Sequence, residues 1–244
     1  EKWMEITFEN AQSNPLHRGA GLYLNEKALE NLIIPDGTET IGNYVFYGLK
    51  YSGSITIPAS VTSIGTGAFK LHEKSSGAVH IADPSAWAKI WFASQSSNPL
   101  FRAGTLYVNG KILENLVLPS GIKAVSDYAF NGCEGLTSIT IPKTVTSIGK
   151  RAFAECIGLT SISLPDSVTS IDEGAFESCC YVTEIHIPKN LTVINDQVFS
   201  YCESLVSVTL PETVTSIGNG AFEMCSDLTS INLPKKLTAI GANA

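Results

Sequence analysis

The chain repeats itself every 23 residues, and this period constrains the fold more than any other feature of the sequence. Prolines and phenylalanines both recur at that spacing along most of the chain. The recurring positions are Pro35, Pro58, Pro119, Pro142, Pro165, Pro188, Pro211 and Pro234, and Phe46, Phe69, Phe130, Phe153, Phe176, Phe199 and Phe222. A short fixed period indicates a solenoid, because each repeat can bury its apolar side chains only against its neighbours.

One repeat predicts three short elements. Residues 136–141 place apolar side chains on one face of a β-strand that ends at Pro142, which cannot donate a ladder hydrogen bond. Residues 145–148 are rich in β-branched side chains and predict a second extended element. Residues 152–156 are too short for an independent helix, so we predict a helical or 3₁₀ turn on the outer side. Stacked coils about 4.8 Å apart then form columns of Phe, Ile and Cys through the core.

A second, longer repeat interrupts the short one. Residues 3–69 align with residues 87–153 at a shift of 84, without a gap. The duplicated interruptions predict structured inserts within a single solenoid. We expect that solenoid to span residues 1–244, with insert cassettes at about 3–31 and 73–115 and regular coils at about 32–72 and 116–244.

The cassettes carry turn and capping signals. Asn109-Gly110 lies between two extended segments and is the preferred chemistry of a two-residue hairpin turn. The aromatic side chains of the cassettes are expected to close the local core, with partner recognition as the alternative. They are Trp3, Tyr23, Trp87, Trp91, Phe101 and Tyr107. Neither end of the chain shows the polar cap that a solenoid needs, so we expect a segment of a longer protein.

The repeat Leu-Thr-Ser-Ile-Thr-Ile-Pro-x-x-Val-Thr-Ser-Ile-Gly-x-x-Ala-Phe-x-x-Cys resembles the BspA-like leucine-rich repeats of bacterial surface proteins, over nearly the whole chain. The resemblance implies a curved solenoid, a location on the cell surface or outside the cell, and adhesion to protein or glycan partners. One feature of the better-known leucine-rich repeat pattern is not matched. The position of the usual Asn or Cys ladder holds Thr144, Ser167, Asn190, Thr213 and Lys236, so neither an Asn ladder nor a regular horseshoe is expected.

Charge and hydropathy exclude several function classes. The net charge is −7, and no cluster of Lys or Arg is present, so nucleic acids and anionic membranes are poor partners. No apolar run approaches the roughly 20 residues of a membrane-spanning helix, so no membrane insertion is expected within this segment. The remaining partners are a protein or a glycan.

The cysteines follow the period and leave three interpretations open. Cys133, Cys156, Cys179, Cys202 and Cys225 recur every 23 residues, and Cys180 alone is out of phase. A column of small apolar groups in the core is favoured. Disulfides between neighbouring coils are an alternative that needs specific Cα separations. A metal site is disfavoured because His and carboxylate partners at ligand spacing are lacking.

The polar face of the long strands is the candidate binding site. Side chains that point away from the core form a ladder of small hydroxyl groups, interrupted by one acidic and one basic residue. The candidate partner-binding residues are Ser138, Thr140, Ser161, Ser163, Glu184, His186, Ser207, Thr209, Ser230 and Asn232. The alternative is that these side chains only solvate the sheet.

The sequence points to a non-enzymatic binding scaffold. Glu184 and His186 project from the same side of one strand, but a regular sheet offers no pocket for a converging catalytic set. No cofactor motif is present. Two alternatives remain: a self-associating spacer of a surface layer, and an accessory region of a larger secreted enzyme.

Overall fold

The computed structural model of the chain describes residues 3, 6–24, 26–73, 75 and 77–244. These residues form a parallel β-solenoid of about nine turns with almost no helix, which confirms the predicted leucine-rich-repeat-like fold class. The contacts divide the chain into two compact units, Glu1–Leu113 and Glu114–Ala244.

The first unit contains two parallel sheets and two hairpins. Its strands are β1 (Tyr23–Leu24), β2 (Lys27–Ala28), β3 (Asn31–Ile33), β4 (Thr40–Ile41), β5 (Ser54–Thr56), β6 (Ser63–Ile64), β7 (Ala78–Ile81), β8 (Trp91–Phe92), β9 (Thr105–Val108) and β10 (Lys111–Ile112). Its helical turns are α1 (Pro84–Trp87), α2 (Leu100–Ala103) and the 3₁₀ turns Ala11–Ser13 and Gln95–Ser97. Strands β3, β5, β7 and β9 pair in parallel in that order, as do β4, β6 and β8, while β1–β2 and β9–β10 are antiparallel hairpins.

The hairpin expected at Asn109-Gly110 is confirmed. Val108 pairs with Lys111 across the turn, and the two turn residues have φ angles of 50° and 78°. Both angles lie in the left-handed region, which a type I′ turn requires at both central positions and which Asn and Gly adopt at low cost.

The second unit consists of parallel strands alone. Its long-strand side holds β11 (Asn115–Val117), β13 (Ser138–Thr140), β15 (Ser161–Ser163), β17 (Glu184–His186), β19 (Ser207–Thr209) and β21 (Ser230–Asn232). Its short-strand side holds β12 (Ala124–Val125), β14 (Ser147–Ile148), β16 (Ser170–Ile171), β18 (Val193–Ile194), β20 (Ser216–Ile217) and β22 (Ala239–Ile240). The long strands pair as β11–β13, β15–β17 and β19–β21, and the short ones as β12–β14–β16 and β18–β20–β22.

A column of phenylalanines forms the centre of the second unit. Phe130, Phe153, Phe176, Phe199 and Phe222 stack in sequence, with ring centroids 5.3, 5.5, 5.9 and 5.6 Å apart. The interplanar angles are 18° or less, and none of the five rings is more than 8% exposed. The predicted stacking of like positions is therefore confirmed.

The outer segments differ in one respect from the prediction of helical or 3₁₀ turns. Residues 151–155 form hydrogen-bonded turns, bounded by Arg151 at φ 50° and Glu155 at φ 60°. A helix needs negative φ throughout, so left-handed residues four positions apart prevent it. In addition, the Phe153 amide donates to the Ala175 carbonyl of the next coil, at 2.8 Å, and not within its own turn.

Polar side chains form a ladder at the positions where the better-known leucine-rich repeat pattern has its Asn or Cys ladder. The Thr144 hydroxyl donates to the Ile122 carbonyl and the Ser167 hydroxyl to the Val145 carbonyl, both at 2.8 Å. Asn190 and Thr213 make corresponding bonds to backbone carbonyls of the coil before, at 2.7 Å each. As expected, the ladder is not built of asparagines. Hydroxyl groups instead donate most of its hydrogen bonds to the backbone carbonyls.

The five in-phase cysteines form the expected column, buried from Cys133 to Cys202 and half-buried at Cys225, and all six cysteines are free thiols. In four coils the in-phase thiol donates to the phenylalanine carbonyl 26 residues earlier, as Cys156 does to Phe130 at 3.2 Å; the other three are those of Cys179, Cys202 and Cys225. Burial raises the pKa of these thiols, that of Cys225 to about 11. They behave as small core residues that also satisfy a carbonyl.

The first cassette covers the start of its coil stack. The Asn14 side chain is buried and donates to the carbonyls of Tyr44 and Val45, at 2.6 and 3.0 Å. The Trp3 indole also donates to the Val45 carbonyl, at 2.8 Å. In later coils the carbonyl equivalent to that of Val45 accepts from the phenylalanine amide of the preceding coil, as Ala152 does from Phe130. The cassette supplies the donors at this position, so it acts as a cap, as expected.

Candidate partner-binding face

The ten predicted residues all lie exposed on the long strands of the second unit. The strands show the pattern exposed–inward–exposed, for example Ser161 and Ser163 on either side of the buried Ile162. This alternation follows from the two-residue period of a strand. The prediction of which side chains face outward agrees with the observed exposure.

The face is assembled from pairs of strands. In β15–β17, Ser161 lies opposite Glu184 and Ser163 opposite His186. In β19–β21, Ser207 lies opposite Ser230 and Thr209 opposite Asn232. Strand pairing is interrupted between β13 and β15 and between β17 and β19. The sequence pattern indicated one flat ladder of side chains. In the structure β13 and β15 are neighbours, as are β17 and β19, but backbone pairing joins the strands only in three groups.

The first of these groups extends beyond the predicted set. Asn115 lies opposite Ser138, whose hydroxyl donates to the Asn115 side-chain oxygen at 2.6 Å, and Val117 lies opposite Thr140. Val117 is 65% exposed. Both residues are 23 positions before predicted ones, so the repeat period itself was the signal that would have found them.

A charged cluster lies at Glu184 and His186. The His186 Nε2 atom is 4.0 Å from Asp166 Oδ1, and the Lys189 ammonium is 2.6 Å from Asp166 Oδ2. The hydrogen bond from Lys189 lowers the pKa of the Asp166 carboxyl. Sequence reasoning missed Asp166 and Lys189, although opposite charges 23 residues apart indicate a pair across neighbouring coils.

The cluster presents charges of both signs to solvent. The side chains of His186 and Lys189 are 63% and 71% exposed, and that of Asp166 is 39% exposed. Exposed ion pairs contribute little to stability, so the fold does not depend on these side chains. The exposed ends of His186 and Lys189 are accessible to a partner, whereas the Asp166 carboxylate already accepts from the Lys189 ammonium and from the Lys189 backbone amide.

The other side of the second unit carries acidic grooves. A groove of 530 Å³ is lined by Asp127, Asp172, Glu173 and Asp196 together with Lys150, whose ammonium lies 2.8 Å from Glu173. In the part of the chain that the structure describes, no set of three or more His, Cys, Asp or Glu residues has an arrangement suited to a metal ion.

The aromatic residues of the cassettes differ in burial, and three of the six are half-buried, namely Trp3, Phe101 and Tyr107. Trp87 is 1% exposed and packs against Phe92 at a centroid distance of 5.5 Å, as a core residue does. Trp91 and Tyr23 are 61% and 69% exposed. The expected closing of the local core therefore describes Trp87 and Trp3, whereas the side chains of Trp91 and Tyr23 are exposed.

Comparisons with known proteins agree with the repeat pattern. The model of the BspA type leucine rich repeat region matches in six copies, over residues 19–82, 105–209 and 192–244. No curated protein matches the chain significantly. Over the described residues, no helix combines the length and the apolar character needed to cross a bilayer.

Solved structures share the fold at low sequence identity. The pneumococcal vaccine antigen PcpA matches with a TM-score of 0.51 and 18% identity, over 87% of this chain and 74% of that one. The T. pallidum leucine rich repeat protein has a TM-score of 0.49 and 22% sequence identity, and the match covers 89% of this chain and 91% of that one. A leucine-rich repeat protein from Eubacterium ventriosum has a TM-score of 0.49 and 21% sequence identity, and the match covers 88% of this chain and 82% of that one.

Proposed function

The chain belongs to the BspA-type leucine-rich repeat family, and from this premise we propose that it is a non-enzymatic binding scaffold of the bacterial surface or of the space outside the cell. Its long-strand face contacts a protein or a glycan. The observation that carries the proposal is the exposed row of polar side chains on a rigid, repetitive backbone, with the charged cluster at Glu184 and His186 as its least repetitive part.

The alternation of exposed and inward-facing residues within each long strand supports this function. The inward residue of a long strand, such as Ile162 or Val208, packs in the core, while its two neighbours are exposed. Stability in a solenoid is a sum over coils and their interfaces, so exposed positions vary at little cost. The face therefore changes its specificity without changing the fold.

The chemistry of the face supports a polar partner. Hydroxyl groups both donate and accept hydrogen bonds, which suits peptide groups and sugar hydroxyls alike. The cluster adds a carboxylate and an ammonium that match charged groups of a protein. The low share of charged residues elsewhere on the face makes this cluster the centre of recognition.

The proposal is tested by a binding screen with matched variants. The chain is immobilised and probed with arrays of matrix proteins, plasma proteins and glycans. The double variant Glu184→Ser with His186→Ser copies the neighbouring coil, which has Ser161 and Ser163 at these positions, so it is expected to fold normally. Loss of the truncated contacts is expected to weaken binding by about tenfold or more.

A variant on the opposite side provides the control. Asp127→Ser with Lys150→Ser alters the acidic groove and is expected to leave binding unchanged. Binding that survives the face variant, or that falls equally in both variants, contradicts the assignment of the face. A screen in which no ligand exceeds the signal of an unrelated solenoid contradicts the binding function itself.

A further inference from the structure

The turn of the second hairpin carries an Asn-Gly dipeptide that the proposed binding function does not use. Asn109 and Gly110 connect β9 to β10, and both residues are exposed. In this dipeptide the glycine backbone nitrogen follows directly after a side-chain amide. Because glycine has no Cβ, the approach of that nitrogen to the asparagine Cγ atom is unhindered. The pair is therefore a candidate for ring closure with loss of ammonia.

Both reacting groups of this turn are unbound. In the part of the chain that the structure describes, neither the Asn109 side chain nor the Gly110 backbone amide makes a hydrogen bond. A Cβ added at Gly110 would meet no atom within 4 Å, so the space around the turn is open. Rotation of the Asn109 backbone toward the reactive geometry thus breaks no hydrogen bond of either reacting group.

Asn131-Gly132 has the same sequence but a different environment. Asn131 is 0% exposed, and its side-chain amide donates to the Ala154 carbonyl at 3.2 Å. The Gly132 amide donates to the same carbonyl at 2.8 Å. One acceptor of the next coil therefore holds both the nitrogen that would attack and the amide that would be attacked. Reaction at Asn131 requires that the coils separate first.

Asn219-Gly220, the third such dipeptide, shows that exposure of the asparagine is not sufficient. The Asn219 side chain donates to the Asp196 carboxylate at 3.2 Å and accepts from the Ala242 amide at 2.9 Å. The Gly220 amide donates to the Ala242 carbonyl at 2.8 Å. An exposed asparagine and two unbound reacting groups therefore coincide at Asn109-Gly110 alone among the three dipeptides.

The first hairpin shows that this turn accepts a residue with a side chain. A two-residue turn joins β1 to β2 in the same way as it joins β9 to β10. Glu26 lies where the second hairpin has Gly110, and its φ is 67°. The substitution Gly110→Glu therefore copies a turn that the chain already contains, and it removes the glycine that permits ring closure.

We propose that Asn109 is a site of spontaneous deamidation, with Gly110 supplying the nucleophile. The Gly110 backbone nitrogen loses its proton and attacks the Asn109 side-chain Cγ, the side-chain nitrogen leaves as ammonia, and a succinimide ring remains. Water then adds to either ring carbonyl and opens the ring. The products are aspartate and isoaspartate at position 109, so one water is consumed and one ammonia is released.

The modification changes the hairpin locally. Both products add a negative charge to the turn, and isoaspartate also adds a backbone carbon, which disturbs the register of Val108 with Lys111. β9 stays paired with β7 over four residues, so the solenoid itself remains intact. The inference goes beyond the proposed binding function, because it concerns a covalent change in the first unit and not the long-strand face of the second.

Peptide mapping by mass spectrometry over a time course tests the proposal. The folded chain is incubated in mildly alkaline buffer and digested in heavy-oxygen water, so that deamidation during digestion is recognised by its isotope. The peptide with Asn109 is expected to deamidate at least about tenfold faster than the peptide with Asn131, because the buried site must open first. Both aspartate and isoaspartate are expected, since the ring opens at either carbonyl.

Two comparisons separate the contributions of sequence and structure. In urea, which releases both dipeptides from the fold, Asn109 and Asn131 are expected to react at similar rates. Gly110→Glu is expected to slow the reaction at Asn109 by about tenfold or more, because the new side chain hinders ring closure. Circular dichroism verifies that this variant folds like the wild type.

Four outcomes would overturn the proposal. If Asn109 reacts no faster than Asn131 in the folded chain, the exposed turn is not reactive. If aspartate is the only product, water attacks the side chain directly and Gly110 is not the nucleophile. An unchanged rate in folded Gly110→Glu also rules out the role of the glycine. A difference between the two sites that persists in urea is not caused by the fold.

Discussion

At the scale of single residues, stability is concentrated in core side chains that pack between the equivalent side chains of the preceding and the following coil. Phe153 contacts Phe130 on one side and Phe176 on the other, so its ring is removed from water by neighbouring coils and not by its own. A ring of this size contributes about 1.5–3 kcal/mol of transfer free energy when buried. The backbone lowers the stability of the fold, because residues other than glycine are held at positive φ in the turns.

The phenylalanine column is tested by truncation. Phe153→Ala or Phe176→Ala is expected to lower the free energy of unfolding by about 3–5 kcal/mol, because the neighbouring rings cannot close the cavity. Urea unfolding followed by circular dichroism measures the loss. Thr140→Ala, on the exposed face, is the control. A loss no larger than that of the control would contradict the column.

The left-handed positions are tested by a glycine exchange. Ser178 has φ 59°, a region that costs a side-chain-bearing residue about 1–2 kcal/mol. Ser178→Gly is expected to stabilise the chain by about 0.5–1 kcal/mol after the larger entropy of glycine in the unfolded state is subtracted. Thermal unfolding measures the change.

The reverse exchange four residues earlier is the matched comparison. Gly174 has φ 62°, and an added Cβ would lie 2.9 Å from the Glu177 carboxylate. Gly174→Ala is therefore expected to destabilise. Equal effects of the two substitutions would show that positive φ does not determine stability in these turns.

At the scale of elements, each coil is tied to the one before it by polar side chains as well as by strands. Threonine hydroxyls next to the strands donate to carbonyls 23 residues earlier, as Thr137 does to Glu114 at 2.9 Å. With the ladder at Thr144 and Ser167 and the thiols of the cysteine column, carbonyls at several corners of the coil are satisfied. Strands of two or three residues persist because these bonds repeat in every turn.

The hydroxyl ladder is tested at Ser167. Ser167→Ala removes the donor to the Val145 carbonyl and is expected to cost about 1 kcal/mol of unfolding free energy. Ser167→Thr, which copies the residue at positions 144 and 213, is expected to retain most of the stability. Chemical unfolding of the wild type and the two variants measures their free energies of unfolding. Equal stability of the alanine and threonine variants would show that the hydrogen bond to the Val145 carbonyl contributes nothing.

At the scale of the whole molecule, the buried thiols make stability depend on alkaline pH. Burial raises the pKa of four thiols of the column above the ordinary value of 9.0, and that of Cys225 to about 11; the other three are those of Cys156, Cys179 and Cys202. The unfolded chain therefore releases these protons first as pH rises. The stabilisation is fully present below pH 9.0 and is lost progressively toward about pH 11 and above.

Unfolding free energies measured from neutral pH to about pH 11 test this dependence. The wild type is expected to lose stability across that interval. Cys225→Ser lacks one of the titrating groups, so its loss between pH 9.0 and about 11 is expected to be smaller. Identical slopes for the two proteins would contradict the contribution of the thiol.

Much of the candidate face was predictable, because strand alternation alone places Ser161 and Ser163 outward. The neighbours that give the face its chemistry were not found. Asp166 and Lys189 belong to loops after the strands, and only the stacking of coils brings them to His186 and to each other. Asn115 was missed because the cassette obscured the phase of the repeat before Pro119.

The period of 23 residues by itself determined that this chain is a solenoid with columns of Phe and Cys, because like residues can be buried only against like residues of the next coil. The hairpin at Asn109-Gly110 was determined in the same way, by two residues that tolerate positive φ. The tertiary structure alone decided where the strand ladder is interrupted, which hydroxyls reach carbonyls, and that Asp166 and Lys189 meet beside His186. These features depend on contacts between residues far apart in the chain. A periodic pattern specifies which residues repeat, but it does not specify which atoms of neighbouring coils meet.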